Sequence, residues 1–111
     1  MRKFAFVWLN KHIKFMNVSA NIAAMHAASF SYGISAHNMA NASTDGFPAQ
    51  EVSLSQGIDG GPRPVVEQSL RGTDIVTEMT RQQRLIYDYQ ANAQVVKMHD
   101  TMVGNVIDLL A

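Results

Sequence analysis

TDIVTEMTRQQRLIYDYQANAQVVKMHDTMVGNVIDLL, residues 73–110, decides the fold. It contains no proline. Ile75, Met79, Gln82, Ile86, Tyr89, Ala93, Val96, Asp100, Val103, Ile107 and Leu110 follow one another at alternating steps of four and three. All but Gln82 and Asp100 are apolar, the pattern of a heptad seam. Thr73 is the expected N-cap, and Asp74 and Glu78 suit the positive end of the helix dipole. Such a helix spans roughly 55 Å at 1.5 Å per residue.

A second periodic run precedes it. Val18, Ile22, Met25, Ser29, Tyr32, Ala36 and Met39 keep the same alternation. Their flanks are mostly alanine and serine, and residues 18–43 carry no Asp, Glu, Lys or Arg. A helix without a charged side is normally surrounded by protein, and small flanking residues let neighbours approach closely. Gly33 sits inside this run and implies a kink or a close contact.

Between the two runs, residues 46–72 hold all three prolines and five of the seven glycines. Glu51–Ser55 and Pro64–Ser69 flank a glycine-rich turn at Gly57–Gly61, a short loop or small hairpin. The expected fold is therefore mainly α: two long antiparallel coiled-coil-like helices, N- and C-terminal, joined by that loop or hairpin. The boundaries are 1–17 for an N-terminal extension, 18–45 for the first helix and its end, 46–72 for the connector and 73–111 for the second helix. The first helix covers little more than two thirds of the second, so apolar seam is left over. Surface of that kind marks an interaction site.

Composition narrows the function classes. The chain has 111 residues, a formal net charge of zero and no cysteine. One small domain is the upper bound. No global field recruits nucleic acid, and neither disulfides nor thiolate metal sites are available. The four histidines, His12, His26, His37 and His99, include no pair at i, i+3 or i+4, so no helix face aims two imidazoles at a metal. No GxSxG, Walker A or GxGxxG occurs, and GIDGG at 57–61 lacks the helix start and lysine of a phosphate loop. No catalytic residue, cofactor, metal or small-molecule substrate is expected.

Residues 1–17 carry Arg2, Lys3, Lys11 and Lys14 and no acid. FAFVWL is too short for the apolar core of a secretory signal, and no run approaches a transmembrane span. Phe4, Val7, Trp8, Ile13 and Phe15 do not segregate cleanly from the lysines, which weakens membrane contact by residues 1–15 as a reading. Met16 is an alternative natural start that opens directly on the seam.

ISAHNMANASTDGF, residues 34–47, interrupts the first helix with two asparagines, poor helix formers whose amides compete for backbone groups. The local physics is a C-terminal stop: the Asn38 and Asn41 amides bond freed backbone groups, and Thr44-Asp45-Gly46 makes a turn with a residue tolerant of positive φ. The stretch also resembles the N-terminal signature of the flagellar axial family of rod, hook and hook-associated proteins, through Ala36, Asn38, Ala40, Asn41, Thr44, Gly46 and Phe47. His37, Asp45 and Pro48 depart from it. The C-terminal run is similar to that family's second signature through Asp74, Val76, Glu78, Met79, Gln83, Tyr89, Ala91, Asn92, Ala93, Val96, Asp100, Met102 and Leu109.

The resemblance implies a structural subunit of the bacterial flagellar basal-body rod, most like a small proximal-rod protein, with residues 18–111 as one rod-type domain. It implies homo- or hetero-oligomers with other axial subunits, export by the flagellar apparatus without a cleaved signal, and a place in the periplasm-spanning rod. The expected assembly interface is Ile22, Met25, Tyr32, Met39, Ile86, Tyr89, Val96, Val103 and Ile107. Together with the Tyr89–Ala93 stretch, Asn38 and Asn41 would mark an assembly surface. The alternative is a helical adaptor or regulatory protein related to rod proteins but not incorporated into the flagellum.

Overall fold

The computed structural model describes residues 2–5, 18–58 and 60–111. The expectations about residues 6–17, the Met16 start among them, lie outside the described residues. The chain is mainly helical: helix α1 (Ser19–Ala40), strands β1 (Gln50–Gln56) and β2 (Pro62–Gln68), and helix α2 (Ile75–Leu110). The connector is the hairpin.

The N-terminus of α2 corrects the sequence reading by one residue. Asp74, not Thr73, is the N-cap: its Oδ1 accepts the backbone N–H of Val76 at 3.0 Å and of Thr77 at 3.4 Å. Either side chain is a competent cap, and Thr73 is used elsewhere, as shown below.

In the hairpin, Gln50 faces Gln68 and Gln56 faces Pro62 in an antiparallel ladder. The turn closes through Gly57 N–H to Gly61 O at 2.7 Å and Gly60 N–H to Gly57 O at 3.1 Å, with Gly60 at φ +78°. Gly61 is where this hairpin meets α1. A Cβ there would lie 2.6 Å from the Ala23 Cβ and 3.2 Å from the Ala20 Cα. Only glycine opposite alanine allows that approach. Gly33, by contrast, has no atom of the described residues outside its own helix backbone and chain neighbours within 4 Å of a Cβ position, and α1 runs unbroken through it. No close contact accounts for it.

The two helices pack side by side in opposite directions, since Ser35 meets Glu78 at one end and Asn21 meets Asn92 at the other. Their line of contact departs from the predicted seam on α1 and follows it only in part on α2. On α1 it lies one residue earlier along the whole helix: Asn21, Ala24, Ala28, Ser31, Ser35 and Asn38 are buried or half-buried, whereas Ile22, Ser29, Tyr32 and Ala36 are exposed. On α2 the inward residues are Glu78, Gln82, Leu85, Asn92, Ala93, Val96 and His99; Gln82, Ala93 and Val96 belong to the predicted seam, whereas Ile75, Met79, Ile86 and Tyr89 of that seam are exposed. A one-residue slip rotates a helix by about 100°. Small side chains permit close approach on this rotated face, and among the described residues Ala27, Ala28 and, in the loop before β1, Ala49 make the buried apolar core. From Asp100 to the end, every residue of α2 is exposed.

Candidate functional site

Asn38 is the most buried side chain of the described residues, with 0% exposure. It does not bond the freed groups of its own helix end. Its Oδ1 accepts the Gln50 N–H at 2.8 Å, and its Nδ2 donates to the Gln50 carbonyl at 2.7 Å. The side-chain amide thus copies a peptide group and docks on the outer edge of β1 as a neighbouring strand would. Nδ2 also donates to Glu78 Oε1 at 3.3 Å. The backbone carbonyl of Asn38 accepts the Thr73 hydroxyl at 3.2 Å. One residue therefore ties together the end of α1, the start of β1, the segment before α2 and the first turn of α2.

Glu78 completes this cluster. It is buried, and Oε1 also accepts Arg81 at 3.1 Å, an ion pair one helical turn along. Its Oε2 is buried with no hydrogen-bond partner, and its backbone carbonyl accepts the Ser35 hydroxyl at 3.3 Å. A buried carboxylate is costly unless hydrogen-bonded, so Asn38 and Arg81 are what keep it there. Polar clusters of this kind fix one geometry more than they add stability.

Asn41 does act as the helix stop. Its Nδ2 donates to the His37 carbonyl at 2.9 Å, and the Thr44 hydroxyl reaches its Oδ1 at 3.5 Å. Gly46 turns the chain at φ +72°, and Phe47 sits edge-on against the His37 ring with centroids 5.4 Å apart. Ala36, Ala40 and Thr44 are exposed. The two asparagines of one motif thus have different work, one in the interior and one at the helix end.

The second motif is far from the first. Asn92 lies about 21 Å along α2 from Glu78 at 1.5 Å per residue. There its Oδ1 accepts Asn21 Nδ2 at 3.2 Å, and its own Nδ2 donates back to the Asp88 carbonyl at 2.8 Å. Ala91 is exposed. Asn38 and the Tyr89–Ala93 stretch are not brought together, and Asn38 is not on a surface.

Of the expected interface residues, Tyr32, Ile86 and Tyr89 do converge. With Ala28, Ser29 and Leu85 they line an open groove of about 390 Å³ between the helices. Met25, Met39 and Val96 are half-buried, and Met39 Sδ accepts Gln82 Nε2 at 3.3 Å. Ile22, Val103 and Ile107 stand outward, Ile107 at 60% exposure.

Among the described residues there is no group of three or more His, Cys, Asp or Glu that could hold a metal ion, and no helix is long and apolar enough to cross a membrane. The Asp74 carboxyl is held below its ordinary value of 3.8, first by the Thr77 hydroxyl at 2.9 Å and then by the backbone N–H groups it caps. Sequence reasoning missed Ser35 and the inward role of Glu78. The signal was present, since Ala24, Ala28, Ser31, Ser35 and Asn38 also step by four and three. Compared with known families and with characterised proteins, the chain matches no family model and no individual sequence.

Proposed function

We propose that the chain is a structural, non-catalytic subunit of the bacterial flagellar basal-body rod. It assembles through α1 and α2, in coiled-coil fashion, with other axial subunits. The observation that carries this reading is an inversion of size between the inside and the outside of the helix pair. On α1 the contact within the chain is made mostly by alanine, serine and asparagine, while Ile22, Tyr32, Ile86, Tyr89, Val103 and Ile107 remain exposed along both helices. With so little apolar core among the described residues, the chain gains more by burying these side chains against neighbours. The first family-like motif adds a second support, because its Asn38 and Asn41 each have a defined structural task.

The test is incorporation. Ile86→Asp, at an exposed position in the groove, should leave the isolated chain folded and expressed but absent from detergent-washed basal bodies, with motility lost in a strain lacking the native copy. Normal motility of that variant refutes the proposal. A wild-type chain that remains in the cytoplasmic fraction favours the adaptor reading instead.

A further inference from the structure

We propose that the free edge of β1 pairs with the same edge of a second copy of this chain, antiparallel, to give a four-stranded sheet across a two-fold axis at Leu54. This does not rest on the rod reading.

The ladder settles which backbone groups face outward. In an antiparallel pair, the N–H and C=O of one residue point to the same side, and the side alternates along the strand. The Ser69 N–H bonds the Ala49 carbonyl at 2.7 Å, so Ala49, Glu51, Ser53 and Ser55 face β2. Gln50 faces away, where Asn38 takes both of its backbone groups. By the same alternation Val52, Leu54 and Gln56 present N–H and C=O outward. Among the described residues the sheet has two strands, and no backbone hydrogen bond reaches these three from outside it.

The two edges of the hairpin are protected unequally. On β2 the outward positions are Pro62, Pro64, Val66 and Gln68. The prolines remove two of the donors that an added strand needs, a common defence of sheet edges. β1 has no proline, no lysine and no bulge, and Leu54 is 62% exposed on it. One edge is closed and the other is left open.

The length of the open edge selects the occupant. Asn38 blocks it at Gln50, and the glycine turn ends it at Gly57. What remains, Val52 to Gln56, is centred on Leu54. A second copy laid antiparallel in this register sets Val52 opposite Gln56 and Leu54 opposite itself, each pair exchanging two hydrogen bonds. Ser53 then faces Ser55, a favourable hydroxyl pairing. Glu51 faces Gly57, so the single charge of the strand never meets its own copy. Strand addition of this kind draws affinity from main-chain bonds and specificity from alternate side chains.

The experiment uses the full chain. Sedimentation should show a concentration-dependent dimer. Leu54→Lys and Leu54→Glu should each weaken it at least about tenfold, because like charges then meet on the axis, and an equimolar mixture of the two should recover it. Because the chain has no cysteine, Leu54→Cys should form a disulfide-linked dimer on mild oxidation, at the roughly 5.5 Å Cα separation of a hydrogen-bonded pair. Val66→Cys, on the β2 edge, should not. A wild-type chain that stays monomeric, a mixture that fails to recover the dimer, or equal cross-linking at both edges overturns the proposal.

Discussion

Replacing Asn38 separates hydrogen-bond direction from shape. Asn38→Ala removes two bonds to the Gln50 backbone and one to the Glu78 carboxylate. Neutral bonds of this kind contribute about 1 kcal/mol each and one to a charged group about 1.5–3 kcal/mol, so the loss is roughly 4 kcal/mol. Asn38→Asp keeps the volume and the Oδ1 contact to the Gln50 N–H. It nevertheless puts an oxygen where Nδ2 now donates, 2.7 Å from the Gln50 carbonyl and 3.3 Å from Glu78 Oε1. Two carboxylates at that distance repel by about 5 kcal/mol at an effective dielectric constant of about 20, added to the lost bonds. The isosteric change should therefore be the more damaging one. Native domains are stable by only about 5–15 kcal/mol, so at neutral pH Asn38→Asp should be largely unfolded and Asn38→Ala marginal. Urea denaturation followed by circular dichroism measures both. An Asp variant more stable than the Ala variant, or an Ala variant within 1 kcal/mol of wild type by the scale of a single bond, refutes the arrangement.

Gly61→Ala should cost about 1–3 kcal/mol by overpacking, since its Cβ would lie 2.6 Å from that of Ala23; adding Ala23→Gly should recover part of that loss in a double-mutant denaturation cycle. Gly60→Ala, at φ +78° with open space around it, should cost about 1–2 kcal/mol through backbone conformation alone, and Ala23→Gly should not help it. Asp74 is bonded in its charged form, so its folded-state value lies below the ordinary 3.8. The stability it adds is complete above that ordinary value and is lost as pH falls below it through the lowered one. Asp74→Asn should keep the cap but abolish this acid-dependent part, as stability measured between neutral and strongly acid pH will show.

The chain's punctuation made most of its architecture legible. Prolines and glycines concentrated in residues 46–72 marked the hairpin, and the unbroken heptads after Thr73 marked α2. The rotation of α1 was not legible by counting apolar residues, because packing against a hairpin and a second helix rewards closeness more than size. Ala28, Ser31 and Ser35 allow closeness, and Tyr32 does not. Asn41 behaved as its chemistry predicts, since a helix end offers it carbonyls. Asn38 was misread for a related reason. Its amide is indifferent to whether the backbone it bonds belongs to its own helix or to Gln50, and sequence spacing does not say which is near.

The Asn38 cluster also sets the order in which the molecule comes apart. Residues 38, 50, 73 and 78 sit at one end of the helix pair, where the chain turns back on itself. Among the described residues, the half-buried Asn21–Asn92 pair helps to hold the opposite end, and it closes a longer stretch of chain. The loop entropy differs by only about 0.5 kcal/mol for such a near-doubling of length, so the contrast lies in the bonds themselves. The helices form a peg sprung at its hinge, whose jaws part first at the Asn21–Asn92 pair. Amide exchange should quicken steadily from the hinge toward the jaws.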